Sequence, residues 1–330
     1  MPSLSRAAAA QIRVLHALVS AMLASMHVTD PPPGLTARPL TPDDLDAAYA
    51  VYAADEVEDA GILAIEREDL EGDWARPSFD LARDSIGVLE GDHLLGAAEV
   101  TRGGGKAEGA VLPAARGRGI GSWLAAWTEG RAAEMGAVGV GQNVPTGSSA
   151  HRFLTGRGYR TGHTAWVLEL PEGRAVADRE LPDGYTMVTL DGEGQARAAH
   201  RVVQDAFGEW EGRAPESFDD WASTTLLRPG TEPWQLRLVE HGGSVVGVAF
   251  TILDTTACGY VHQLAVDRAH RGRGLAQALL ADGFRNSRER GATRNELSTD
   301  SRTGALDLYL KVGMEVTQTW TYVVADVPRS

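Results

Sequence analysis

The string "RGRGIGSWLA" at 116–125 returns as "RGRGLAQALL" at 271–280, an offset of 155 residues. The same offset relates Gly136 to Gly291 and Gly158 to Gly313, so nothing has been inserted between these landmarks. A repeat this regular and this long is a duplicated domain. The length of 330 residues suits two domains of about 150 each.

Within each half the order of elements is the same. "SIGVLEGDHLLGAAEVT" and "LRLVEHGGSVVGVAFTI" read as strand, tight turn, strand. A strand ending at Val111 or Val266 follows, then the arginine-glycine corner, then an amphipathic helix closed by Gly136 or Gly291 as its C-terminal cap. Each half opens with a strand leading into a helix. In the first, Thr41 and Asp44 form a capping box with Pro42 in the first helical turn. The fold class is therefore α/β, mixed, in two copies: 35–172 and 183–330, joined by a polar linker at 173–182 within "LPEGRAVADRELPDGY". Residues 1–34 read as a leader, a loose helix or an over-long start with Met26 as the true beginning, ended by "DPPPG".

The corner lies between a strand and a helix. A helix N-terminus offers unpaired N–H groups and the positive end of its dipole, which together hold phosphate. Glycines there let backbone approach an anion, and the arginines add charge at the rim. The strings for a P-loop and for a dinucleotide fingerprint are both missing. A net charge of −14 argues against nucleic acid or an anionic membrane surface as partner. No apolar run is long enough for a transmembrane helix, no histidines show metal-ligand spacing, and the single cysteine, Cys258, precludes an internal disulfide and points to the cytoplasm.

With "VLPAARGRGIG", "LAVDRAHRGRGLA" and "TGALDLYLKVGM" in this order, the chain resembles the GNAT superfamily of N-acetyltransferases over residues 35–170 and 183–327. The resemblance implies two tandem domains, each a twisted mixed sheet whose two central parallel strands splay apart to admit acetyl-coenzyme A. By that resemblance the pantetheine arm pairs with the backbone of Leu264, Ala265 and Val266. The pyrophosphate rests on Arg271, Gly272, Arg273, Gly274, Leu275 and Ala276, with Thr303 where a polar contact to coenzyme A is common. The matching positions of the first half are Gly109, Ala110 and Val111, then Arg116, Gly117, Arg118, Gly119, Ile120 and Gly121. No metal is implied.

The implied chemistry is attack of a small-molecule or amino-terminal primary amine on a thioester. It needs a base for the ammonium and an acid for the departing thiolate. Tyr309, four residues before Gly313, stands where the family carries that acid. Where many relatives place a glutamate base this chain has Tyr260. His262, two residues on along the strand, is the candidate base, with Asp205, Glu209 and Glu211 as alternatives acting directly or through water. Tryptophans 210, 221 and 234, set among acids, lie where relatives shape the acceptor pocket. The first half has Leu154 at the place of Tyr309, with Phe153 before it, and neither carries a hydroxyl. This half is therefore expected to be catalytically silent while still able to bind coenzyme A, serving by packing or by shaping the acceptor site; the alternative is Tyr159, His151 or Ser149 as its acid. The competing reading is a non-catalytic acyl-coenzyme A-binding sensor or scaffold.

Overall fold

A computed structural model describes residues 30–210 and 213–327. The expected leader (apart from residues 30–34) and the candidate Glu211 lie outside the described residues. In chain order the strands are β1 (Thr36–Arg38), β2 (Ser85–Glu90), β3 (His93–Thr101), β4 (Lys106–Val111), β5 (Gly139–Pro145), β6 (Arg160–Leu170), β7 (Tyr185–Thr189), β8 (Leu236–His241), β9 (Ser244–Leu253), β10 (Cys258–Val266), β11 (Arg294–Asp300) and β12 (Glu315–Asp326). The helices are α1 (Leu45–Ala60), α2 (Arg67–Trp74), α3 (Leu81–Asp84), α4 (Ile120–Glu134), α5 (Ser149–Gly156), α6 (Gly192–Phe207), α7 (Phe218–Ser223), α8 (Leu275–Glu289) and α9 (Leu306–Lys311).

The chain forms two compact units. Among the described residues, one comprises 30–55, 81–142 and 325–327; the other comprises 56–80, 143–210 and 213–324. These units cut across the two repeats expected from sequence. The cause is pairing: β6, from the first repeat, bonds antiparallel to β11 on one edge and to β12 on the other.

In the first unit β1, β2, β3 and β4 form an antiparallel run, and β4 meets β5 in parallel at Lys106 and Gly141. Its core gathers Val88, Ala98 and Val100 of the hairpin beneath Ile120, Leu124 and Trp127 of α4. The hairpins form because near-continuous apolar runs such as 245–252 are buried along both faces while glycines at positive φ, Gly91 in one turn and Gly242 and Gly243 in the other, reverse the chain.

In the second unit β7 to β10 are antiparallel neighbours and β10 runs parallel to β11. One face packs on α6 and α7 through Val203, Trp221, Leu238 and Phe250. The other packs on α8 and α9 through Leu280, Phe284, Leu297 and Tyr309. The 56–80 segment docks near α7: Asp220 accepts the Ser78 amide at 2.9 Å and Arg76 pairs with Glu216 at 3.2 Å.

Candidate active site

The sheet of the second unit opens in its middle. β10 and β11 pair only over Cys258–Val261 and Arg294–Leu297. Beyond that point Gln263–Val266 bond to β9 alone, and Ser298–Asp300 bond to β6 alone. The strands part because β10 carries a bulge: Val261 faces Thr251 and Gln263 faces Phe250, leaving His262 as the extra residue. A bulge increases local twist, and two neighbours that twist differently must separate.

At the far end of the gap Asp267 donates to Val246 at 2.9 Å, which turns the Val266 amide to the open edge. The Val266 carbonyl there accepts Arg271 Nε at 3.0 Å. Next comes the corner. Gly272 and Gly274 have φ of +75° and +83°, left-handed values open to glycine at little cost, and α8 begins at Leu275 with its first amides unpaired by helix. Arg271 also pairs with Glu209 at 2.8 Å, so Glu209 serves the loop. The Thr303 hydroxyl is engaged in its own turn, donating to Asp300 at 2.9 Å.

One face of the opening holds a cavity of about 310 Å³. Strand alternation turns Tyr260 and His262 of β10, with Arg294, Glu296 and Ser298 of β11, into it. Trp166 of β6 and Trp320 of β12 supply aromatic wall, and Ile62, Ala64, Glu66 and Asp69 close the side. Buried Arg228 fixes that last wall, donating to Glu66 at 2.7 Å and to Asp69 at 2.8 Å. Glu66 also accepts the Thr255 amide at 2.7 Å, and burial raises its pKa against these partners. Burial likewise raises Glu296, which Arg294 contacts at 2.8 Å.

His262 stands in this cavity with its ring edge-on to Phe250, at 5.8 Å between centroids. Neither ring nitrogen bonds to another described residue. The side chain meets solvent through the cavity while protein surrounds it, and that desolvation lowers its pKa from the usual 6.5. Smaller opposing effects come from Asp69, which raises it, and Arg228, which lowers it. The imidazole is thus neutral at physiological pH and able to accept a proton.

Tyr309 does not line the cavity. It is buried on the other face, among Val261, Leu280, Phe284 and Leu297. Its hydroxyl bonds to no described residue. Burial pushes its pKa up to about 12, with a further push from Tyr260. The two sequence candidates therefore flank the opening from opposite faces.

Other expectations meet a different arrangement. The cavity draws its tryptophans from β6 and β12; Trp221 is instead core, donating from Nε1 to Gln263 at 2.9 Å. Asp205 is exposed on α6 and does not line the cavity. Glu66, Asp69 and Glu296 escaped the sequence reading. Glu66 and Asp69 have the spacing of a helix cap, and the Glu66 amide does donate to Asp69 at 3.1 Å. Glu296 carried no clear sequence signal: Asn295, Leu297 and Thr299, which lie between Arg294, Glu296, Ser298 and Asp300, are mostly polar too, so alternation does not single out its face.

In the first unit the corresponding edge is differently filled. Leu112 donates to Leu95 at 2.9 Å, and the Val111 amide turns outward to Asp55 at 3.4 Å. Asp55 also holds Arg116 at 2.8 Å. Gly109 and Ala110 pair with Ala98 and Ala97 of β3. Gly117 and Gly119 have φ of +79° and +85°, and α4 starts at Ile120 and Gly121 after Arg118, which pairs with Glu90 at 2.7 Å.

A mixed sheet that splays between two parallel strands, beside a glycine-arginine corner opening a helix, defines an acyl-coenzyme A-dependent transferase. The family model of the GNAT acetyltransferases matches residues 197–314. Mycothiol acetyltransferase of Salinispora tropica is 31% identical over 243 residues, 70% of this chain and 76% of that one. The enzyme of the same name from Nocardia farcinica is 29% identical, over 63% and 70%. Among solved structures, a GCN5-related N-acetyltransferase from Sphaerobacter thermophilus superposes with a TM-score of 0.69 at 29% identity, covering 91% of this chain and 97% of that one. A tandem GNAT protein from the clavulanic acid biosynthesis pathway gives 0.68 at 19% identity, over 90% and 99%. The chain belongs to the GNAT family and is an N-acetyltransferase.

Proposed function

We propose that the second half carries the reaction, moving an acetyl group from acetyl-coenzyme A to a small cationic primary amine. The donor's pyrophosphate rests on Arg271–Ala276, its pantetheine arm lies along the open edge at Leu264–Val266, and the thioester reaches the gap between β10 and β11. The amine enters from the cavity. Carboxylates at Glu66, Asp69, Asp254 and Glu296 favour a cation there, and Tyr260, Trp166 and Trp320 offer its body an aromatic wall.

His262 takes a proton from the ammonium, directly or through one water. The freed nitrogen attacks the thioester carbonyl, the carbon–sulfur bond breaks, and the departing thiolate receives the Tyr309 proton; the second proton shed by the acylated nitrogen restores Tyr309 through solvent, and His262 releases the first to bulk water. The observation that carries this reading is the coincidence of the splay with the cavity, His262 standing on one side and Tyr309 on the other. The relatives named for mycothiol support a small-molecule acceptor. The first half is silent: Leu154 is buried where the acid would stand, and Asp55 sits on the strand edge.

The test is release of free thiol from acetyl-coenzyme A over a panel of primary amines, amino sugars and amino-terminal peptides. Turnover with a small amine, reduced by Arg294→Ala or Glu296→Gln chiefly through acceptor KM, is the expected result. A preference for peptides, or no effect of the cavity variants, overturns the acceptor assignment.

A further inference from the structure

The segment between the repeats is more than a tether. Val176 is buried against Tyr309, Leu280 and Phe284, and Leu181 packs against Leu275 and Leu279 of α8. Between these anchors Asp178 meets Arg285 at 2.9 Å and the Ala177 carbonyl accepts Gln277 Nε2 at 3.3 Å. The chain is thereby strapped along α8, and Arg179 falls at the start of that helix.

Its side chain lies directly over Gly274. A Cβ built on that glycine would collide with Arg179 Nε and Cδ and come within 2.8 Å of Cζ. The side chain's one hydrogen bond among the described residues is to neutral Gln277, at 3.4 Å. A guanidinium placed at the positive end of a 15-residue helix is electrostatically misplaced, since cations belong at the other end. Arg273 in the same loop has no ion-pair partner among the described residues, and only Arg271 is neutralised, by Glu209. An anion lying between Arg179 and the Gly272–Leu275 amides would turn each of these repulsions into attraction.

We propose that Arg179 is a ligand of the donor's pyrophosphate, supplied by the inter-repeat strap and clamping the anion from the side opposite the loop. The proposal rests on the reading of residues 271–276 as the phosphate loop. The strap thus completes the donor site, and glycine at 274, where any Cβ would meet Arg179, leaves the guanidinium room to lie against the loop.

The experiment is calorimetric titration of the full chain and of Arg179→Gln, both carrying Arg118→Glu to remove the first half's loop. The probes are coenzyme A, 3′-dephospho-coenzyme A and pantetheine. Arg179→Gln is expected to weaken both phosphorylated probes about tenfold, the scale of one charge-assisted contact at a partly exposed site. The loss should shrink in high salt and vanish with pantetheine. Affinity within twofold of the parent, a rise in affinity, or an equal loss with pantetheine overturns the proposal. Arg273→Glu separates the two readings: if it leaves coenzyme A affinity unchanged, the loop holds no phosphate and both fail. If it weakens binding while Arg179→Gln does not, the strap residue alone is wrong.

Discussion

Replacing Tyr309 with phenylalanine separates catalysis from packing, because the structure gives the two roles very different costs. The ring is buried against Leu280, Phe284 and Leu297, and phenylalanine keeps that ring. The hydroxyl donates to no described residue, so its removal breaks no hydrogen bond among them and should change stability by less than about 0.5 kcal/mol. If the hydroxyl protonates the thiolate, its loss should slow kcat about 10²–10⁴-fold, or roughly 3–5.5 kcal/mol of barrier. The acid must be protonated to work. With its pKa pushed up to about 12, no more than roughly one molecule in 10⁴ is ionised at pH 8, so Tyr309 imposes no alkaline limb below about pH 10. The assay is thiol release under saturating donor, beside thermal unfolding and coenzyme A titration of the same preparation. A kcat loss below about threefold with intact folding would refute the acid assignment; a large loss in stability would refute the account of the hydroxyl.

His262→Gln should lower kcat about 10²–10⁴-fold and abolish the acidic limb of kcat/KM. Desolvation sets the folded pKa below 6.5, so wild-type activity falls only as pH drops through that lower value; a variant whose limb persists unchanged excludes His262 as the base. Arg228→Met strands Glu66, whose side chain is 9% exposed, and should cost about 3–5 kcal/mol while raising acceptor KM with little effect on donor KM. Glu66 already has a raised folded pKa, and losing Arg228 raises it further. The carboxyl then binds its proton more tightly folded than unfolded, so the deficit is greatest at pH 8 and narrows towards pH 5; a pH-independent deficit, seen in urea unfolding at each pH, contradicts this. Gly117→Glu and Gly272→Glu form a matched pair, with φ of +79° and +75° and nothing within 4 Å of either Cβ, so their backbone strain is alike. The first should spare most thiol release and the second should remove it; the reverse result moves the chemistry to the other half.

The repeat was legible because glycine-arginine corners and helix caps are local features: they depend on φ above zero and on free amides within a few residues. The Thr41–Asp44 cap and both hairpins formed as their residues direct. What escaped was assembled from distant parts. Arg228 meets Glu66 and Asp69 across 162 and 159 positions of sequence, and no spacing rule reaches that far. Trp166 and Trp320 share a wall only because β6 pairs with β12, whereas Trp221, more conspicuous among its acids, is packed in the core with Val203, Leu238 and Phe250, its indole N–H satisfied by Gln263. His262 faced the expected way, yet its setting depended on a bulge that one strand cannot announce.

The pairing of β6 bears on why a first half that is silent, as proposed, would persist. Once β6 pairs between β11 and β12, residues 165–167 become part of the sheet beneath the cavity, and the segment at 62–69, held by Arg228, becomes its side wall. Both come from the first repeat in sequence, and both belong to the compact unit that holds His262 and Tyr309. If the first half carries no chemistry, it has no need for an acid at Leu154 or for an unoccupied amide at Val111, and there a leucine and an Asp55 contact are found. It remains under physical constraint wherever it touches the cavity, since removing Glu66 or Asp69 would leave Arg228 buried without a counter-charge. On the proposed reading, silence of one half and dependence of the other half upon it are compatible: the first repeat supplies wall and floor to the cavity beside His262.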